Sequence, residues 1–402
     1  MNRVRRYFKY IMCVLKLFLA FIYVQFNRRR LYRMDIWLIQ EKHTEARDNG
    51  YHLYKYLCTT HPNINAVYSI TRDSTDRRKV ESYGNIIAAD TINHYVYYLA
   101  AKYSIGSQQW GACPYPTDWV KRFHFLCRKD QKVIFLQHGI TKDAAPGLDY
   151  NKTHFDLFVC AGKPEYQHIL QNLHYPRSNA KLIGFCRFDN LNIDKKRKQI
   201  LIMPTFRQWL AAEVREKDAT AKECTKFIQS DFFANYAGLL SDPALLETTR
   251  KNHYRVVFYL HYSLQSFTKT FAKFGNDVVT IADRKHYDVQ QLMLESAVMV
   301  TDFSSVFFDF AYMKKPEIFF QFDEGAYRSK HYSEGYFDYR RDGFGPVYTD
   351  REDVVRCLIR LMENGCEMEQ TYQDKVDAFF AFRDHSNCER NYEAIKALGE
   401  RK

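Results

Sequence analysis

The stretch VMVTDFSSVFFDFAYMKKP, residues 298–316, decides how the chain is read. VMV is a short apolar run of the kind found in strands buried on both faces. Four small polar residues follow it, Thr301, Asp302, Ser304 and Ser305, and VFFDFAYMKK then takes a helical spacing that Pro316 stops. Serines at a helix start cap it, which is the ordinary reason to find them there. The same geometry turns backbone N–H groups and the positive end of the helix dipole toward an anion, and a diphosphate is a natural guest. Asp309, four residues beyond Ser305, is expected on the same helix face. It suits either a ribose or polyol hydroxyl, or an ordinary paired carboxylate.

Working outward, short apolar runs alternate with helical patterns along most of the 402 residues. DIWLIQ (35–40), AVYSIT (66–71), NIIAAD (85–90), KVIFLQ (132–137), FDLFVCAG (155–162) and KLIGF (181–185) read as strands, with helices such as EARDNGYHLYKYLCTT and HYVYYLAAKY between them. The charged run DKKRKQ (194–199) then opens a second series: ILIMPT (200–205), YRVVFYLH (254–261), DVVTIAD (277–283), SAVMVTDFSS (296–305) and PEIFFQFD (316–323). Strand–helix alternation implies largely parallel sheets covered on both faces. The expected fold class is therefore α/β, with two Rossmann-like domains facing a cleft. The expected divisions are an N-terminal helix over 1–34, a first domain over 35–195, a second over 196–375, and a helical, amphipathic segment over 376–402 returning to the first.

In open parallel sheets, ligands lie beyond the carboxyl ends of the strands. His138 follows KVIFLQ and precedes Gly139, which lets the backbone turn or approach a ligand. An imidazole there suits a general base, and equally a structural histidine capping a turn. His261 ends YRVVFYLH, Thr205 and Arg207 follow ILIMP, and Arg187 follows KLIGF. Together these groups make a polar site suited to a phosphate-rich ligand. A P-loop, a G-x-G-x-x-G and a G-x-S-x-G are all absent, so ATP-driven, nicotinamide and ordinary esterase chemistry lack their marks.

The net charge of +12 is concentrated at one end. Nine basic residues precede the first acidic one, Asp35: Arg3, Arg5, Arg6, Lys9, Lys16, Arg28, Arg29, Arg30 and Arg33. A nucleic-acid protein usually spreads its charge over a folded face, so no nucleic-acid partner is expected and anionic lipid is the better match. YFKYIMCVLKLFLAFIYVQF (7–26) is mostly apolar, but Lys16 near its middle is costly for a spanning helix. A helix lying in the membrane surface is favoured, with Lys9 and Lys16 snorkelling. The ten cysteines form no C-x-x-C pair, which reads as reduced thiols in a cytoplasmic catalytic domain without a metal site.

These residues resemble the CDP-glycerol glycerophosphotransferases of teichoic acid synthesis, primases and polymerases included. The likeness rests on DIWLIQEK, EARDNGYHLYKYL, FLQHGITKD, GFCRFDNL, MPTFR, YLH, VTDFSSVFFDFAYMKKPEIFFQFD, GYFDYRRDGFGPV and CERNYEAIK in that order, over roughly residues 35–400. It implies a GT-B-like fold, monotopic association with the cytoplasmic face of a bacterial membrane, and a CDP-polyol donor with no further cofactor. By motif it implies that His138 is the catalytic base, with His261 as the second imidazole. Gly139, Ile140, Thr141 and Lys142 are then the loop beside the donor. Arg187, Pro204, Thr205, Arg207, Thr301, Asp302, Ser304, Ser305 and Asp309 are the donor-binding set. Two departures stand out: Tyr262 follows the second histidine where the family often has proline, and the loop reads HGITKD where HGTPLK-like forms are commoner.

The function so implied is transfer of glycerol phosphate, or a related polyol phosphate, from CDP-glycerol to a hydroxyl of a lipid-linked cell-envelope glycan in teichoic acid or capsule synthesis, releasing CMP. A GT-B nucleotide-sugar transferase and a non-catalytic membrane-surface scaffold are the alternatives, because fold does not settle substrate.

Overall fold

A computed structural model describes residues 3–191, 197–211, 219–330 and 334–400, with side chains from residue 10 onward. The start of the charged run at 194–199 lies outside the described residues. The chain divides into two compact units. The first holds residues 1–140, 145–190 and 380–402, and the second holds 141–144 and 191–379.

The first unit is built on seven strands: β1 (Trp37–Gln40), β2 (Ala66–Ile70), β3 (Asn85–Ala88), β4 (Tyr103–Gly106), β5 (Lys132–Phe135), β6 (Leu157–Cys160) and β7 (Ala180–Leu182). Every pairing is parallel and the order is β3-β2-β1-β4-β5-β6-β7. The second unit has β8 (Gln199–Ile202), β9 (Arg255–Tyr259), β10 (Val279–Ala282), β11 (Val298–Thr301), β12 (Glu317–Phe320) and β13 (Val347–Tyr348). They form a parallel sheet in the order β10-β9-β8-β11-β12-β13. Both sheets are doubly wound, and each reverses direction once, between β1 and β4 and between β8 and β11. Continuous burial of β1, β2, β8, β11 and β12 explains why these strands read as unbroken apolar runs.

Two strands escaped the sequence reading. β4 was absorbed into the helical pattern HYVYYLAAKY. The helix Ile92–Ala100 stops at Ala101, whose extended ψ of 136° turns the chain into the strand. β13 is two residues long, too short for any period to show. The helix after β11 is also shorter than expected. It runs Phe307–Tyr312, so Ser304 and Ser305 sit in the turn before it, and Asp309 does not share a helix face with Ser305.

At the N-terminus a helix spans Arg3–Phe26. Cys13, Leu17, Ala20 and Val24 recur every three or four residues and are buried, and the last three share one apolar cluster with Tyr95, Val96 and Leu99 of the helix Ile92–Ala100. The opposite side leaves Ile11, Leu15, Phe18, Leu19 and Phe26 exposed. Lys16 was expected to snorkel; its ammonium instead donates to the Asp90 carbonyl at 2.8 Å, tying the helix to the loop after β3. Among the described residues no helix is long and apolar enough to cross a membrane.

The expected single C-terminal helix is two, Gln370–Phe379 and Asn387–Glu400. The second packs within the first unit, and Asp189 supplies its start. Asp189 accepts from the Asn387 amide (2.9 Å) and side chain (2.7 Å) and from the Cys388 amide (2.7 Å). Gly184, at φ +82°, makes room for this junction, since a Cβ there would stand 1.8 Å from Asn387 Oδ1.

Glu317, at the start of β12, is buried with neither carboxyl oxygen bonded to a protein partner. Burial pushes this carboxyl well above its ordinary 4.5, which favours its protonated form in the folded chain. The unfolded chain ionises it near 4.5, so its favourable share of stability is present below that pH and is withdrawn as pH rises toward the folded value. Glu317→Gln is therefore expected to raise the melting temperature in mildly alkaline buffer and to flatten the decline of stability above the carboxyl range, as read by thermal unfolding across a pH series.

Candidate functional site

In the first unit the polar groups gather where the sheet reverses. Leu136 continues the ladder beyond β5 by donating to the Gly106 carbonyl, and Gln137 then adopts φ +59°, a left-handed conformation uncommon for a side chain larger than glycine. Buried bonds hold it there. The Gln137 side-chain Nε2 donates to the Val159 carbonyl (2.6 Å) and Glu165 Oε1 (2.9 Å), and its backbone carbonyl accepts from Asn49 Nδ2 at 2.8 Å. The kink turns the chain so that His138 emerges at the surface.

Asn49 is fully buried and joins three segments. Its Nδ2 donates to the Leu136 and Gln137 carbonyls, and its Oδ1 accepts from the Arg187 amide at 3.1 Å. Asp48, the cap of the helix Asn49–Thr60, takes the Arg187 guanidinium at 2.8 Å. Beneath this loop the buried Glu41 accepts from the amides of Arg47 (2.8 Å), Asp48 (2.9 Å) and Tyr51 (2.6 Å). Burial, with the neighbouring Asp48 carboxylate, pushes Glu41 up to about 8 against those three donors. His138 has the opposite shift. Crowding by protein lowers its basicity, although the residue stays exposed at the surface; Arg187 and Lys42 lower it further, and Asp48 opposes them.

In the second unit the corresponding edge carries the ends of three adjacent strands, β9, β8 and β11. Asp302 organises it from inside. Its Oδ1 accepts from the Thr205 amide (2.8 Å) and the Phe303 amide (2.6 Å). Its Oδ2 pairs with Arg207 (2.9 Å) and accepts from the Tyr236 hydroxyl (3.3 Å). Arg207 also forks onto Asp323 through two bonds of 2.7 and 2.8 Å and donates to the Thr205 carbonyl. Its solvent exposure is 0%, as is that of Asp302. Both therefore shape the site through Thr205 and Phe303, and their polar atoms are turned to protein. Thr301 is likewise interior, donating to the Met203 carbonyl at 2.8 Å, and Pro204 and Asp309 are buried.

The groups that reach the surface of this edge are fewer. Ser304 and Ser305 are half-buried, and Ser304 Oγ accepts from the Val306 amide at 3.4 Å. Thr205 Oγ1 is buried without a protein hydrogen bond. His261 Nδ1 accepts from the Ser263 amide at 3.3 Å, and its ring stacks on Phe206 with centroids 4.7 Å apart. The segment 141–144 belongs to this unit. Lys142 is buried against Asp143, and Asp143 takes Arg328 at 2.8 Å. Gly335 lies against this segment so closely that a Cβ would stand 2.2 Å from the Lys142 carbonyl.

Of the residues expected from the sequence, His138 and Arg187 thus come together in the first unit, with Gly139 next in the chain and Ile140 buried beside them. Thr205, His261, Ser304 and Ser305 share the edge of the second unit. Asp48, Asn49, Glu41 and Gln137 were not anticipated. The Asp-Asn-Gly start of a helix was the available signal for the first two, since aspartate there caps. Nothing in the sequence marks the partners of a buried amide. Among the described residues no cluster of His, Cys, Asp or Glu is arranged to hold a metal ion.

A family model described as CDP-Glycerol:Poly(glycerophosphate) glycerophosphotransferase matches residues 21–397. The chain is 34% identical over 385 residues to the minor teichoic acid biosynthesis protein GgaB of Bacillus subtilis (strain 168), covering 95% of this chain and 41% of GgaB. It is 22% identical to a teichoic acid poly(glycerol phosphate) polymerase of Staphylococcus epidermidis, over 83% of this chain and 46% of that protein. The chain thus spans less than half the length of these relatives. Its fold is that of the wall teichoic acid polymerase TagF, with a TM-score of 0.67 at 16% identity, covering 100% of this chain and 99% of the other. A putative UDP-N-acetylglucosamine 2-epimerase from Listeria monocytogenes shares the fold at a TM-score of 0.57 and 12% identity, over 91% and 97% of the two chains.

The environment of His138 yields a direct expectation. Its imidazole should titrate below the ordinary 6.5. Asp48→Asn removes the group that favours the charged ring, so the midpoint should fall further. The measurement is the imidazole chemical shift across a pH series, with His138→Gln to assign the signal.

Proposed function

The chain belongs to the CDP-glycerol:poly(glycerophosphate) glycerophosphotransferase family, and from that premise we propose that it transfers glycerol phosphate from CDP-glycerol to a hydroxyl of a lipid-linked cell-envelope glycan. The observation that carries the reading is His138: an accessible imidazole of lowered basicity, held by the Gln137 kink and the Asn49 amide. Lowered basicity favours the neutral ring, the form that can take a proton.

In this reading the acceptor hydroxyl gives its proton to His138 and its oxygen attacks the phosphorus that bears the glycerol. A new P–O bond forms as the anhydride bond to CMP breaks, and CMP leaves with the electron pair. The diphosphate is held at the turn after β11 by Ser304 and Ser305, with Thr205 and His261 on the adjoining strand ends. Because the helix after that turn has only six residues, its dipole adds little, and hydroxyls and amides of the turn itself carry the contact. Arg187, set beside His138 by Asp48, offsets charge that grows on the transferring phosphoryl group. A TagF variant has been soaked with CDPG, which supports the choice of donor. No further cofactor enters the scheme.

We also assign the exposed side of the helix Arg3–Phe26 to an anionic membrane surface on the cytoplasmic side. Leu15, Phe18, Leu19 and Phe26 present apolar area, and Arg28, Arg29, Arg30 and Arg33 follow at once. A lipid-linked acceptor would then be met where it is anchored.

Two outcomes are expected. His138→Ala should lower kcat about 100- to 10,000-fold while CDP-glycerol binding, read by calorimetry, persists; near-normal turnover would remove the base assignment. Replacing both Leu15 and Phe18 with aspartate should weaken binding to phosphatidylglycerol vesicles about 100-fold in a sedimentation assay, with melting temperature as the check on folding.

A further inference from the structure

At the carboxyl edge of the second sheet, three aromatic rings stand in a row. Phe206, after β8, stacks on His261, after β9, at 4.7 Å and an interplanar angle of 19°. Tyr262 follows with its ring tilted by 44° to that of His261 and its centroid 4.3 Å away. Large aromatic side chains normally end such a row by burying the last ring. Here Tyr262 is 57% exposed, one of the few large apolar side chains of the second unit open to solvent.

The position of the row gives it a use. β9 and β11 flank β8, so strand spacing puts the ends of β9 and β11 about 10 Å apart, and Tyr262 and Ser304 each lie three residues beyond those ends. That is within the reach of one nucleoside diphosphate, with its phosphates at the serines and its base at the aromatic row. Stacking suits a flat heterocycle and needs no hydrogen-bond partner on the ring face.

We propose that Tyr262 is the platform for the pyrimidine base of the nucleotide donor, with His261 and Phe206 backing the ring. The assignment rests on the donor reading above and deepens it by naming the part of the donor this residue grips. It makes Tyr262 a residue that sets donor affinity, while bond-making stays with His138.

The test is calorimetric titration of the full chain with CMP and with ribose 5-phosphate, using wild type, Tyr262→Ala and Tyr262→Phe. Tyr262→Ala should weaken CMP binding about 5- to 150-fold, the equilibrium equivalent of stacking one base, and leave ribose 5-phosphate binding as in wild type. Tyr262→Phe keeps the ring and should restore CMP binding. Melting temperatures report whether each variant is folded. CMP binding unchanged in Tyr262→Ala, or an equal loss for ribose 5-phosphate, overturns the platform and leaves the donor reading standing. A wild type that does not bind CMP overturns both.

Discussion

Each of the two sheets reverses its winding at one point, and this constraint governs where everything else lies. Parallel strands end their chains at the same edge, and helices leave in opposite directions only at the reversal. Between β1 and β4 that leaves room for Glu41, the Asp48–Asn49 helix start and, one strand on, His138. Between β8 and β11 it leaves room for Thr205 and the turn carrying Ser304 and Ser305. The two edges differ in how they are made rigid. The first relies on a neutral amide, Asn49, bridging three segments. The second relies on a buried ion pair.

That ion pair illustrates how a charged residue serves a site without touching a ligand. Arg207 is fully enclosed, with two carboxylates and a carbonyl as partners, and its desolvation is offset by bidentate geometry with Asp323 and by Asp302. Removing Arg207 would leave the fully buried Asp302 carboxylate without its cation, a costly outcome. In return Asp302 fixes the Thr205 and Phe303 amides, so the ends of β8 and β11 keep one geometry. Gln321 adds a bond from β12 to the Asp302 carbonyl at 3.0 Å.

Much of this was legible in the sequence, for a physical reason. Strands buried on both faces must be apolar throughout, so AVYSIT, ILIMPT and PEIFFQFD announced β2, β8 and β12, and small polar residues after VMV announced a strand-to-helix turn. What stayed hidden depends on contacts distant in sequence. Arg207 read as a ligand-facing cation, because nothing local shows that Asp302 and Asp323 enclose it. Lys16 read as snorkelling, because its partner is the Asp90 carbonyl, 74 residues away. β4 was lost because four residues with a tyrosine and a glycine carry too weak a period against the helix preceding them. The exposed Tyr262 was visible only as a departure from the family pattern. Its place at the end of an aromatic row needed the strand order.

The central claim is that the chain's activated donor is a cytidine diphosphate polyol. The most direct measurement supplies purified protein and a lipid-linked acceptor with CDP-glycerol, CDP-ribitol and UDP-sugars in separate reactions, and follows the released nucleotide. The account predicts acceptor-dependent release of CMP from CDP-glycerol, lost in His138→Ala. Release of UDP from a UDP-sugar, with the CDP-polyols untouched, would contradict it.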